Sequence, residues 1–167
     1  MEIPENREID ALVPEYTEEG DSTHVYLRDG SDFIIPVTLR TVLKYLAYRS
    51  CRDIARLRSW AAEHTHQRLN NPLPMDEELV LMPYKARRPK VAGDPIMGCV
   101  NAASGVRLEK GEETVLLTSG GHALSSLWTP ETIQQHLDRA SLICRELQGI
   151  LDEKILRRLQ RVGAIKG

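Results

Sequence analysis

From Thr129 the chain reads TPETIQQHLDRASLICRELQGILDEKILRRLQRVG, with no proline after Pro130. Ile133, Leu137, Ala140, Cys144, Leu147 and Leu151 recur at 4-3-4-3-4 spacing. Such spacing averages about 3.5 residues, the period of one apolar helix face close to a heptad seam. Thr129 suits an N-cap, Pro130 the first helical position and Gly163 the terminator, with Arg157, Arg158 and Arg161 near the negative end. A break near Gly149 or Asp152 would divide the helix. A long helix with one apolar stripe constrains everything before it, because the stripe must be covered. Either the preceding residues build a sheet beneath it, or it pairs with a partner helix or its own copy.

The preceding residues read as that sheet. ELVLMPY, PIMGCV, VRLEKG, ETVLLT and HALSSLW are short strand-like runs, separated by the turn signals NAASG, KGE and the Gly pair of SGGH. Their spacing predicts an antiparallel meander. Earlier, Val25 and Leu27 alternate with polar residues, RDGSD follows, and Phe33–Val37 resumes the β pattern, so a hairpin is expected with Pro36 ending an edge strand. Thr38 caps a helix to Tyr48 with Leu39, Val42, Leu43 and Leu46 on one stripe. A second helix is expected from about Ser50 to Leu69, its stripe Ile54, Leu57, Ala61 and His64, with Arg49, Arg52 and Arg56 on another face. LNNPLP reads as a loop.

At 167 residues, 41% apolar and 28% charged, the chain suits one folded domain with an appendage. No apolar run approaches a membrane span, and MEIPENREID resembles neither a signal nor a transit peptide. Cys51, Cys99 and Cys144 lie far apart and form no CxxC, which fits a reducing cytoplasm rather than a disulfide framework. Residues 1–21 hold eight acids and one base, leaving 21 bases and 16 acids in the remainder. An acidic N-terminal arm over 1–21, attached to a basic single domain over 22–167, is therefore expected. Such an arm either frays in solvent or covers the body's own basic face.

Most chemistry is poorly supported. His64 and His66 point about 200° apart on a helix, with no local carboxylate or thiol to complete a metal set. Ser119, His122, Ser125 and Cys99 lie in the β-rich half, but no GxSxG elbow or cysteine-protease signature accompanies them, and TSGGH reads as a hairpin turn. No phosphate-binding glycine motif is present. Neither an enzyme nor a cofactor nor a small-molecule substrate is implied.

The cations are more informative. They cluster at 49–58 and 85–90, and MPYKARRPK carries four with no acid among them. A solvated face is the plain reading of any such cluster. Clustered cations also bind a polyanion by releasing its condensed counterions, and arginine forks onto phosphate or guanine.

The order of these segments resembles the competence transcription factor ComK and its relatives. There, an RSCR-like element (here Arg49-Ser50-Cys51-Arg52) precedes a basic stretch, a proline-containing loop (NNPLPM), an LxP strand (Leu81-Met82-Pro83) and an Arg-Pro (Arg88-Pro89). ETVLLTSGGHALSSLWTPETIQQHL is similar to the family's following hairpin and helix start, and also to the LytTR class of DNA-binding domains. The similarity spans roughly 23–148. The single Phe, the two Trp and the acidic arm depart from the pattern. The resemblance implies an elongated antiparallel, β-rich α+β domain that grips double-stranded DNA with loops. Lys85, Arg87, Arg88 and Lys90 would make the contacts, Arg52 and Arg56 would flank them, and Asn101 and His122 would add to them. The rival expectation is a non-catalytic adaptor using its C-terminal helix, which also offers a route to a homodimer.

Overall fold

The computed structural model describes residues 2–163. In chain order these form β1 (Ile9–Thr17), β2 (Gly20–Leu27), β3 (Asp32–Ile35), α1 (Leu39–Arg49), α2 (Ile54–Thr65), β4 (Leu73–Asp76), β5 (Leu79–Lys85), β6 (Met97–Asn101), β7 (Val106–Glu109), β8 (Thr114–Thr118), β9 (Ala123–Ser126) and α3 (Pro130–Arg161). The class is α+β as expected: two antiparallel sheets, two helices in the first half and one long C-terminal helix. The larger sheet runs β3-β2-β1-β6-β5-β4 and the smaller β7-β8-β9.

The larger sheet is the middle layer. Along β5, Leu79 and Leu81 pack with α1 and α2, while Met82 and Tyr84 face the smaller sheet and α3. Strands buried on both faces read as near-continuous apolar runs, which is why LVLMPY lacks polar alternation. α3 lays Ile133 and Ala140 on the second core, with Leu137 partly buried against it, and Cys144 and Leu147 reach a third cluster with Trp60 of α2. So the stripe found in sequence is covered by the chain's own sheet and α2. The helix runs without a break at Gly149 or Asp152.

The acidic segment is not an arm. Ile9–Thr17 is a central strand, hydrogen-bonded to both β2 and β6, with Ile9, Ala11 and Leu12 fully buried. Pro14 is tolerated because β6 pairs only with Ala11 and Leu12, so at Pro14 β1 pairs with β2 alone. Pro83 repeats this in β5, where the ladder to β4 covers Leu79 to Leu81 and only β6 accompanies Pro83.

The β2–β3 hairpin and the Thr38 cap form where expected, Thr38 Oγ1 accepting from the Thr41 amide. α2 is shorter than expected, because Asp53 caps it and His66 ends it in the left-handed conformation. LNNPLP, expected as a loop, ends in the first two residues of β4, an edge strand in which Pro74 costs little. RSCR is the α1 terminus. The Arg52 amide donates to Ala47 O (2.8 Å) and the Cys51 amide to Tyr48 O (3.0 Å), with Cys51 at φ 55°. This is a Schellman closure, with cysteine where glycine is usual.

Candidate nucleic-acid interface

The basic loop is the connection between β5 and β6. Lys85 ends β5 on the same face as Leu79 and Leu81, hence toward the α1 and α2 side. The loop is built rather than slack. The Ala86 and Arg87 amides donate to Ile96 O (2.8 and 3.2 Å). At the tip, Asp94 Oδ2 accepts from the Lys90 and Val91 amides (2.7 and 3.0 Å), and these bonds hold its carboxyl below the usual range.

Within the loop, arginine chemistry divides. Arg87 turns inward: its Nε donates to Pro95 O at 2.7 Å, and its guanidinium lies 3.6 Å from Asp21 on the β1–β2 hairpin, an ion pair without a hydrogen bond. Lys90 sits over the Tyr16 ring, 5.1 Å from its centroid. The acidic segment therefore does meet the basic loop, through the rigid end of a hairpin. Arg88 is exposed, and neither it nor Lys85 nor Lys90 has a carboxylate within ion-pair distance among the described residues.

Beside this loop, α1 and α2 enclose an open groove of about 720 Å³, lined by Arg40, Lys44, Arg52 and Arg58 over an apolar floor that includes Leu43 and Ile54. Pro95 of the loop lines it too, so loop and groove adjoin. The acid lining the groove is Asp53, already engaged as the α2 cap by accepting from the Arg56 amide at 3.0 Å. Arg40, Lys44, Arg52 and Arg58 likewise have no ion-pair partner among the described residues. Unpaired cations on a shared apolar floor make a surface suited to phosphates.

The residues expected from sequence thus scatter. Arg52, Lys85, Arg88 and Lys90 lie in or beside this surface. Arg56 does not. It projects about 160° from Arg58 around α2 and lines an adjoining groove, which shares Arg52 and Asp53 with the first and includes Leu147, Ile150 and Lys154 of α3. Arg49 belongs to α1, where it donates to Ile3 O and Asn6 Oδ1 and ties down the N-terminal residues. Asn101 is fully buried. Its Oδ1 accepts from the Val80 and Ala103 amides and its Nδ2 donates to Ile9 O and Glu78 O, which leaves no capacity for DNA. His122 lies on the opposite face of the larger sheet, donating from Nε2 to Leu27 O (2.8 Å), edge-on to Tyr26. Arg40 and Lys44 lie outside the clusters expected from sequence, and Arg58 ends the 49–58 cluster. Arg40 and Lys44 had a signal in their i, i+4 spacing, whereas Arg58's direction depended on where α2 begins.

Cys99 is buried, and the Ser119 and Ser125 hydroxyls are engaged by Asp10 and Glu113. Burial pushes the Cys99 thiol up to about 12 despite the opposing Arg58 charge. The Ser119 hydroxyl donates to buried Asp10 at 2.7 Å. No helix among the described residues is long and apolar enough to cross a membrane. No protein-family model matches the chain, nor does any curated protein or solved structure.

Proposed function

We propose that this protein is a DNA-binding transcription regulator of the kind its sequence resembles, the ComK-like factors. The observation that carries the reading is the juxtaposition of the β5–β6 loop with the α1–α2 groove. Arg40, Lys44, Arg52 and Arg58 line the groove, and Pro95 beside them belongs to the loop that carries Lys85, Arg88 and Lys90; none of the seven has an ion-pair partner among the described residues. A solvated surface has no need to concentrate one sign of charge in this way, whereas a phosphate backbone rewards it through counterion release. The internal bonds of the loop lower the entropy lost on binding.

The test is a titration of fluorescent duplexes across about 50 to 200 mM salt, with a variant carrying Lys85→Gln, Arg88→Gln and Lys90→Gln. Arg87 stays intact, because it anchors the loop. Binding that weakens steeply with salt, with a shallower slope in the variant, is expected. Folded wild-type protein that binds no duplex would overturn the reading.

One observation favours a second reading, a helix-mediated partner or a second copy. Beyond Leu151 in α3, every residue to Gly163 is exposed. Leu151, Ile155, Leu159 and Val162 fall within about 80° of one another around it. In DNA readers such a pairing sets two half-sites, so the two readings are compatible.

A further inference from the structure

We infer that Tyr48 is the base-contacting residue of this interface, with Arg40, Lys44 and Arg52 holding phosphates around it; this rests on the DNA-binding reading above. Tyr48 is 80% exposed, more than any other large apolar or aromatic side chain among the described residues. The other four tyrosines are accounted for. Tyr84 is buried in the core, Tyr26 stacks on His24, Tyr45 carries the Arg49 guanidinium 5.8 Å from its centroid, and Tyr16 carries Lys90. Tyr48 has neither a ring partner nor a cation partner among the described residues, and it lines the basic groove.

Its placement is rigid. Leu39, Val42 and Leu46 fix α1 on the core, and the Tyr48 carbonyl accepts the Cys51 amide in the closing turn. Arg40, Lys44 and Tyr48 follow one another at i, i+4 and i+8, a line that drifts about 80° around the helix and climbs about 6 Å per step. The end of that line turns into Arg52. Cations in this row satisfy phosphates, which position a protein but carry no sequence information. The Tyr48 hydroxyl can donate to a phosphate, but the exposed face of its ring has no use for one. It gains from a base, through contact with a thymine methyl or by wedging into an opened step. A lone exposed ring among cations on a fixed helix therefore assigns the base contact to Tyr48.

The experiment selects preferred duplexes from a random-sequence pool with the wild-type chain, then compares wild type, Tyr48→Ala and Lys44→Gln on a preferred and a scrambled duplex. For Tyr48→Ala we expect an unchanged urea midpoint and an unchanged salt slope. Its affinity for the preferred duplex should fall about 5- to 100-fold, so that the preference collapses. Lys44→Gln should lower affinity for both duplexes alike and reduce the salt slope by about one. The emission of a Tyr48→Trp variant should be quenched by the preferred duplex beyond the change seen in wild type. Full preference retained by Tyr48→Ala would overturn this inference and leave the DNA reading standing. No binding by wild type would overturn both.

Discussion

The residue on which most of the architecture converges is Asp10. It lies at the β-bulge of β1, fully buried, where a carboxylate is costly unless satisfied. Desolvation raises its pKa, but hydrogen bonds from Thr118, Ser119, the Gly120 amide and Ser104 outweigh it and hold the carboxyl below the usual 3.8. The Gly120 amide donates at 2.7 Å. Nothing larger than glycine fits there, since a Cβ would lie 2.5 Å from Leu27 O. Asp10 thus clips the β8–β9 turn onto the larger sheet. Asp10→Asn, which cannot accept from all these donors, is expected to lose about 2–4 kcal/mol in urea unfolding at pH 7. The folded carboxyl binds protons more weakly than the unfolded chain's. Its contribution is therefore complete above about pH 4 and is lost as pH falls through the lower folded value. The gap between wild type and Asp10→Asn should narrow only below about pH 4; a gap unchanged down to pH 3 would show that the charge is not what stabilises the turn.

At the scale of the element, the β5–β6 loop shows why four adjacent cations are not equivalent. Arg87 holds the loop to Pro95 and to Asp21, whereas Arg88 touches neither. Arg87→Gln should cost about 1–2 kcal/mol of stability, since a partly buried guanidinium loses a hydrogen bond and Asp21 loses its countercharge. Arg88→Gln should leave stability within about 0.5 kcal/mol and lower the salt slope of DNA binding by about one. Paired urea melts and salt titrations separate the two. Equal stability loss in both variants would mean that Arg88 is also a structural residue.

At the scale of the molecule, α3 has two lives. Its first two thirds pack on the core, and its last ten residues, about 15 Å of helix, are exposed. A chain ended at Leu151 should keep its unfolding free energy within about 1 kcal/mol, because the exposed turns bury little. If the exposed stripe pairs two copies, the full chain should sediment as a dimer at tens of micromolar and the shortened chain as a monomer. A monomeric full chain would remove self-association. The opposite end behaves differently: removing residues 1–21 would extract a central strand and the Asp10 clip, so the segment cannot be deleted to look for autoinhibition.

Periodicity and turn chemistry alone determined much of this protein. The long helix with its cap and terminator, the β2–β3 hairpin and the Thr38 cap all follow from local rules, because each is decided by residues close in the chain; of the expected five-run meander only β7-β8-β9 is one sheet, since β5 and β6 join the larger sheet through β1. Local rules also located the loop that carries Lys85, Arg88 and Lys90. What they could not decide was direction and burial. Acidic composition hid a central strand, since Asp10 is satisfied by residues more than 90 positions away and Asp21 has its countercharge, 3.6 Å off, in Arg87. Asn101 looked like a turn residue with spare donors, and only the meeting of β1, β5 and β6 saturates it. Arg56 and Arg58 are two residues apart and alike in sequence. The packing of α2 between α1 and α3 sends one toward each neighbour, because a rotation of about 200° per two helical residues has meaning only once both neighbours are in place.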